Sequence, residues 1–170
     1  NLFLIITASA LILTACKKEE GCTDIAAVNY DPMAEEDDGS CKYNLSINFT
    51  HTIDGNPLEI NQMIYTNAAG EDYNIQTLRY LISNITLHSD NDISILLDEV
   101  HFVTISDPAT FNLTIQDLYN DDFNAISFTM GLDSLKNITD LYLNESFFPS
   151  FAWPSSMGGG YHYMQLEGDY

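Results

Sequence analysis

Residues Arg79-Tyr80-Leu81-Ile82-Ser83-Asn84-Ile85-Thr86-Leu87-His88 form an apolar, β-branched run that ends in the polar turn Ser89-Asp90-Asn91-Asp92. A second apolar run, Ile93 to Leu97, begins directly after the turn. Two such runs joined by Asn and Asp predict a β-hairpin. Val100 to Ile105 continues it, and the same period of two recurs on either side. Upstream, Leu45, Ile47, Phe49, His51 and Ile53 share one face of a strand that stops at Asp54-Gly55-Asn56-Pro57. Downstream, Ile126, Phe128 and Met130 mark a further strand, and Tyr161 to Glu167 the last. Two stretches break the pattern. Ile115, Leu118 and Tyr119 fit a short helical turn pair, and Leu135, Ile138, Leu141 and Tyr142 fit a helix capped by Asp133. The reading is a mainly β, antiparallel, sandwich-like domain with one or two short helices. The final residues, Leu166 to Tyr170, are still in strand pattern, which predicts closing strands beyond them.

Composition agrees with a folded domain. The 170 residues are 45% hydrophobic and only 18% charged, enough apolar surface for a core. Five Lys and Arg face 25 Asp and Glu, a net charge of -20. A chain this acidic cannot neutralise phosphates by counterion release, which speaks against nucleic acid as a partner. It attracts cations instead.

The N-terminus carries a second message. Leu2 to Thr14 is an almost unbroken apolar run, too short to span a bilayer but the length of a signal-peptide h-region. It ends in Leu13-Thr14-Ala15-Cys16, the pattern of a bacterial lipobox in which Cys16 is lipidated. No initiator Met or basic segment precedes it, which predicts that the chain begins a few residues into its signal. Residues 1–15 read as the signal peptide and 16–21 as the lipidated Cys and tether. Lys17-Lys18-Glu19-Glu20 resembles the export tag of surface lipoproteins of the Bacteroidetes type. The expected location is the bacterial outer membrane, facing the periplasm or the cell surface, with the membrane reached through the anchor at Cys16.

With Cys16 lipidated, Cys22 and Cys41 remain in an oxidising compartment, and a disulfide between them is the economical reading. They enclose an acidic module over residues 22–43, ending in Glu35-Glu36-Asp37-Asp38-Gly39-Ser40-Cys41. Clustered carboxylates around a Gly turn are what a hard cation needs, so Asp31, Asp37 and Asp38 are candidate calcium ligands. Their spacing does not follow the EF-hand loop.

No catalytic signature appears: no Gly-x-Ser-x-Gly elbow, no His-Glu-x-x-His and no Walker loop, so the chain does not read as an enzyme. The metal-capable groups are His51, His88, His101 and His162. His51 lies on an apolar strand face, where an imidazole must find a partner or a metal. Imidazole suits copper, which also leads the divalent affinity order.

Several blocks together resemble a known family. They are Phe49-Thr50-His51 with Asp54-Gly55, Leu78-Arg79-Tyr80-Leu81-Ile82-Ser83-Asn84-Ile85, and Val100-His101-Phe102-Val103. To these are added Phe151-Ala152-Trp153-Pro154 and Met157-Gly158-Gly159-Gly160-Tyr161-His162-Tyr163-Met164-Gln165-Leu166-Glu167-Gly168. From residue 45 to 170 the chain resembles the MbnP-like domain of methanobactin-associated periplasmic copper proteins and their lipoprotein relatives. The resemblance implies an extracytoplasmic β domain that binds copper through histidines together with a kynurenine made by oxidising a Trp. A dihaem peroxidase-like partner performs that oxidation. Carried over, His51 and His101 are the implied copper ligands. The single Trp, Trp153, with Tyr161 and His162 forms a candidate aromatic site. The competing reading is a calcium-stabilised surface adhesion or scaffold module without a transition metal.

Overall fold

The computed structural model describes residues 18–119 and 122–170. The expected signal peptide and the lipidation site Cys16 lie outside the described residues. The chain divides after Tyr43 into two compact units.

The first unit is organised by one covalent link. Cys22 and Cys41 form a disulfide, as the sequence predicts, and with Ala27 they are the buried residues of this unit's small core, against which Tyr43 packs. Two short strands, β1 (Glu20–Gly21) and β2 (Glu36–Asp37), pair in parallel. Around them the aspartates shape turns. Asp24, Asp31, Asp37 and Asp38 each accept the backbone N–H two residues ahead, from Ala26, Met33, Gly39 and Ser40. The Tyr43 hydroxyl donates to Asp24 at 2.6 Å and holds that carboxyl below its ordinary range.

The second unit is mainly β, with β3 (Lys42–Asn48), β4 (Thr52–Ile53), β5 (Asn56–Pro57), β6 (Tyr65–Thr66), β7 (Asp72–Tyr73), β8 (Thr77–Ser89), β9 (Ser94–Thr104), β10 (Asn112–Tyr119), β11 (Phe123–Met130) and β12 (Met164–Glu167). Its axis is β8, the run that decides the sequence reading. β9 pairs antiparallel along one side of it. β11 and β12 share the other side end to end, β11 against Ile82 to Ser89 and β12 against Thr77 to Tyr80. β10 pairs with β3 in a separate small sheet. The Asp54-Gly55 stop is a two-residue hairpin between β4 and β5 with both residues at positive φ, 51° and 81°, the primed turn for which Asp-Gly is suited.

The register of β8 on β9 sorts the faces. Leu81 stands opposite Phe102, and that face packs on Phe147, Phe151 and Tyr161, the main buried cluster. Phe151 lies in α1 (Phe148–Phe151), a single turn that the periodicity does not mark. Tyr80 opposite Val103 and Ile82 opposite His101 make the other face, which meets the segment following β3. Gly131, just after β11, sits at φ 88°, and a Cβ there would come within 2.4 Å of the Tyr163 Cβ, so only glycine lets β11 and the start of β12 meet.

Both helical expectations are corrected. Residues Ile115, Leu118 and Tyr119 belong to strand β10, and their three-and-four spacing arises because Asp117 takes φ 58° inside the strand and shifts its alternation. Leu135, Ile138, Leu141 and Tyr142 lie in a chain of turns and not in a helix. Asp133 does cap the first turn, accepting from Leu135 and Lys136. Beyond it the Asn137 and Thr139 side chains bond Tyr161 and Gly160, and Asp140 at φ 63° breaks any helical path. Leu135, Ile138 and Leu141 stay exposed, so no buried stripe supports a helix.

Candidate metal centre

His51 follows the end of β3, past the last ladder residue Asn48, yet the alternation persists. Leu45, Ile47, Phe49, His51 and Ile53 are all half-buried while the residues between them are exposed. The His51 Nε2 lies 2.9 Å from the Tyr80 hydroxyl, and Phe111 packs on its ring at 4.9 Å. Tyr80 is a β8 residue, so this contact ties the post-β3 segment to the central sheet. Burial lowers the His51 pKa below 6.5 and raises that of Tyr80, which keeps both neutral at pH 7. A cleft of about 330 Å³ opens beside them, lined by Phe49, Thr50, His51, Leu58, Ile105 and Phe111 among others.

His101, whose register is not readable from sequence, lies on the same face of the sheet as Tyr80, opposite Ile82. Its Nε2 donates to the Thr110 carbonyl at 2.9 Å, and its Nδ1 is 3.4 Å from Asp98 Oδ2. Phe49 stacks over the ring, with centroids 5.2 Å apart and planes 21° from parallel. Asp98 raises the His101 pKa above 6.5, burial opposes it, and the Thr110 carbonyl adds to the rise. His101 in turn holds the Asp98 carboxyl below its ordinary range.

The two histidines therefore titrate in opposite directions. With a lowered folded pKa, His51 makes stability rise with pH up to 6.5; with a raised one, His101 makes stability fall above 6.5. Denaturant midpoints of the metal-free protein, measured from about pH 5.5 to about 7.5, are expected to pass through a local maximum near the unperturbed His pKa. His51→Gln should flatten the acidic limb and His101→Gln the alkaline one. A monotonic profile in the unmodified chain would contradict these assignments.

Trp153 and His162 meet edge to face at 4.2 Å, and the Trp153 Nε1 donates to the Met157 carbonyl. Tyr161 faces away from them into the core, its hydroxyl accepting from the Tyr142 backbone N–H. His88 spans three strands, its ring nitrogens 2.9 Å from Ser94 Oγ and 2.7 Å from Ser127 Oγ. Asp31, Asp37 and Asp38 spend an oxygen each on turn N–H groups. Among the described residues no group of three or more His, Cys, Asp or Glu is placed to hold a metal ion.

Sequence reasoning passed over Tyr80, Asp98 and Thr110. Tyr80 carries a usable signal, since its period-two position puts it beside Ile82 on β8. Asp98 carries none. Strand alternation sets residues three apart on opposite faces, yet the Asp98 carboxylate comes within 3.4 Å of the His101 ring.

No solved structure matches the chain. Over 26 residues, 15% of the chain, it is 69% identical to the chloroplastic ribulose bisphosphate carboxylase/oxygenase activase of Spinacia oleracea, of which that stretch spans 6%. The family model that matches is MbnP, over residues 42–170, the whole β domain just described. The chain belongs to the MbnP family, which is linked to copper and to the extracytoplasmic space.

Proposed function

We propose that this chain is a lipid-anchored, extracytoplasmic copper-binding protein that acquires, stores or delivers the metal, with His51 and His101 as its imidazole donors. One observation supports the reading. Each ring has its Nε2 engaged, His51 with the Tyr80 hydroxyl and His101 with the Thr110 carbonyl, so Nδ1 is the nitrogen each would offer a metal, at His101 in place of its ion pair with Asp98. Metal-binding histidines characteristically donate their other N–H to such an acceptor, which fixes tautomer and ring orientation. Two imidazoles are a donor set that suits copper, and when bound the metal supplies redox and ligand-exchange chemistry. The chain's own residues orient the rings, and Phe49 and Phe111 shield them from water. Anchoring through Cys16 at the outer membrane and a dihaem peroxidase-like partner complete the proposal. The chain is proposed to carry metal and not to catalyse a reaction.

Elemental analysis after copper loading and dialysis tests it. The chain without residues 1–16 should retain stoichiometric copper, and the double variant His51→Ala, His101→Ala should retain none. Equal retention by both proteins, or no retention by either, would sink the proposal. In the latter case a rise in melting temperature with calcium, lost in Asp37→Ala plus Asp38→Ala, would favour the surface-module reading.

A further inference from the structure

From the geometry we infer that Asp98 is a metal ligand beside His101, so that Asp98 Oδ2 and His101 Nδ1 form one chelating pair for a divalent cation of the Cu(II) or Zn(II) class. The inference rests on the copper reading and adds to it an oxygen donor that the sequence does not reveal.

The separation of the two atoms carries the argument. At 3.4 Å, Nδ1 and Oδ2 are farther apart than the roughly 2.7–2.9 Å of a charge-assisted hydrogen bond. Donors held about 2.0–2.2 Å from a tetrahedral ion lie about 3.3–3.6 Å from each other. The pair has the spacing of two ligands on one ion. Orientation agrees: the Thr110 carbonyl accepts from Nε2, so the nitrogen facing Asp98 is the one left for a cation. The carboxylate is itself held, because its other oxygen, Oδ1, accepts the Val100 backbone N–H at 3.2 Å. Both donors are thus positioned by backbone groups, and Phe49 covers the imidazole.

A carboxylate changes the metal preference. An anionic oxygen beside imidazole favours a divalent ion over the softer Cu(I), and water or a further group fills the remaining positions.

Asp98→Asn tests the assignment, since the amide oxygen can still accept from Val100 while its charge and its second carboxylate oxygen are gone. Asp98→Ser, which keeps a hydroxyl acceptor, is the second variant should Asn disturb folding; thermal melts of the metal-free proteins check this. Cu(II) is titrated into the chain lacking residues 1–16 and into each variant, with calorimetry for affinity and paramagnetic resonance for the coordination sphere. The expected result is affinity reduced about tenfold or more, with a changed copper hyperfine coupling. Wild-type affinity and an unchanged spectrum in a folded Asp98 variant would overturn the inference while leaving the two-histidine reading intact. Failure of the unmodified chain to bind Cu(II) would overturn both.

Discussion

Phe151→Ala should destabilise the β domain by about 3–5 kcal/mol, enough to lower its melting temperature by more than about 10 °C. The Phe151 ring is fully buried and meets Phe102 edge-on at 5.7 Å and Phe147 at 6.3 Å, in the cluster that also holds Leu81 and Tyr161. Removing it opens a cavity that four neighbours from different parts of the chain cannot close together. The segment that carries Phe151 is a single helical turn, tied to β8 also by the Arg79 guanidinium, which donates to Ser150 Oγ at 2.7 Å. Phe151→Leu, which keeps most of the volume, should cost much less. Equilibrium unfolding in denaturant measures both. A loss below about 1 kcal/mol for the alanine variant would mean that the face of β8 bearing Leu81 is not the main core.

The second large effect belongs to the Cys-closed module. Reduction, or Cys22→Ser with Cys41→Ser, should remove about 3 kcal/mol of chain-entropy stabilisation from a unit whose buried hydrophobic cluster, among the described residues, is the two cysteines and Ala27. A unit with so little apolar core has nothing of similar size to replace it. Amide exchange should become fast over residues 18–43, and the Ala27, Asp31 and Ala34 amides, now bonded to backbone carbonyls, report it directly. The β8 and β9 amides should keep their protection, because the β domain is compact by its own contacts. Retained protection around Asp31 after reduction, or loss in both units together, would contradict this division.

Much of this architecture is legible in the sequence, for identifiable reasons. β8 and β9 declare themselves because a central strand buried on both faces is a long apolar run, and because Asp90 to Asp92 can only be a turn. His51 is legible because alternation of exposure runs on past the hydrogen-bonded ladder. The disulfide follows from compartment and cysteine count. What fails does so where one residue at positive φ resets the period: Asp117 turns strand spacing into apparent helical spacing, and Asp140 prevents a helix that the apolar positions would otherwise allow. The same limit applies at the candidate site. Tyr80 could be found from the β8 pattern, but the Asp98 contact joins residues three apart on one strand, which alternation alone would set on opposite faces.

The central claim is that histidine nitrogens of the β domain hold copper. X-ray absorption at the copper edge of the loaded chain, lacking residues 1–16, tests it most directly, since it identifies the donor atoms. The account predicts nitrogen and oxygen donors with the outer-shell scattering of imidazole, and the loss of that signal in the His51→Ala, His101→Ala variant. Scattering dominated by sulfur, as the exposed Met157 and Met164 would give, or imidazole scattering unchanged in the double variant, would place the metal elsewhere and contradict the account.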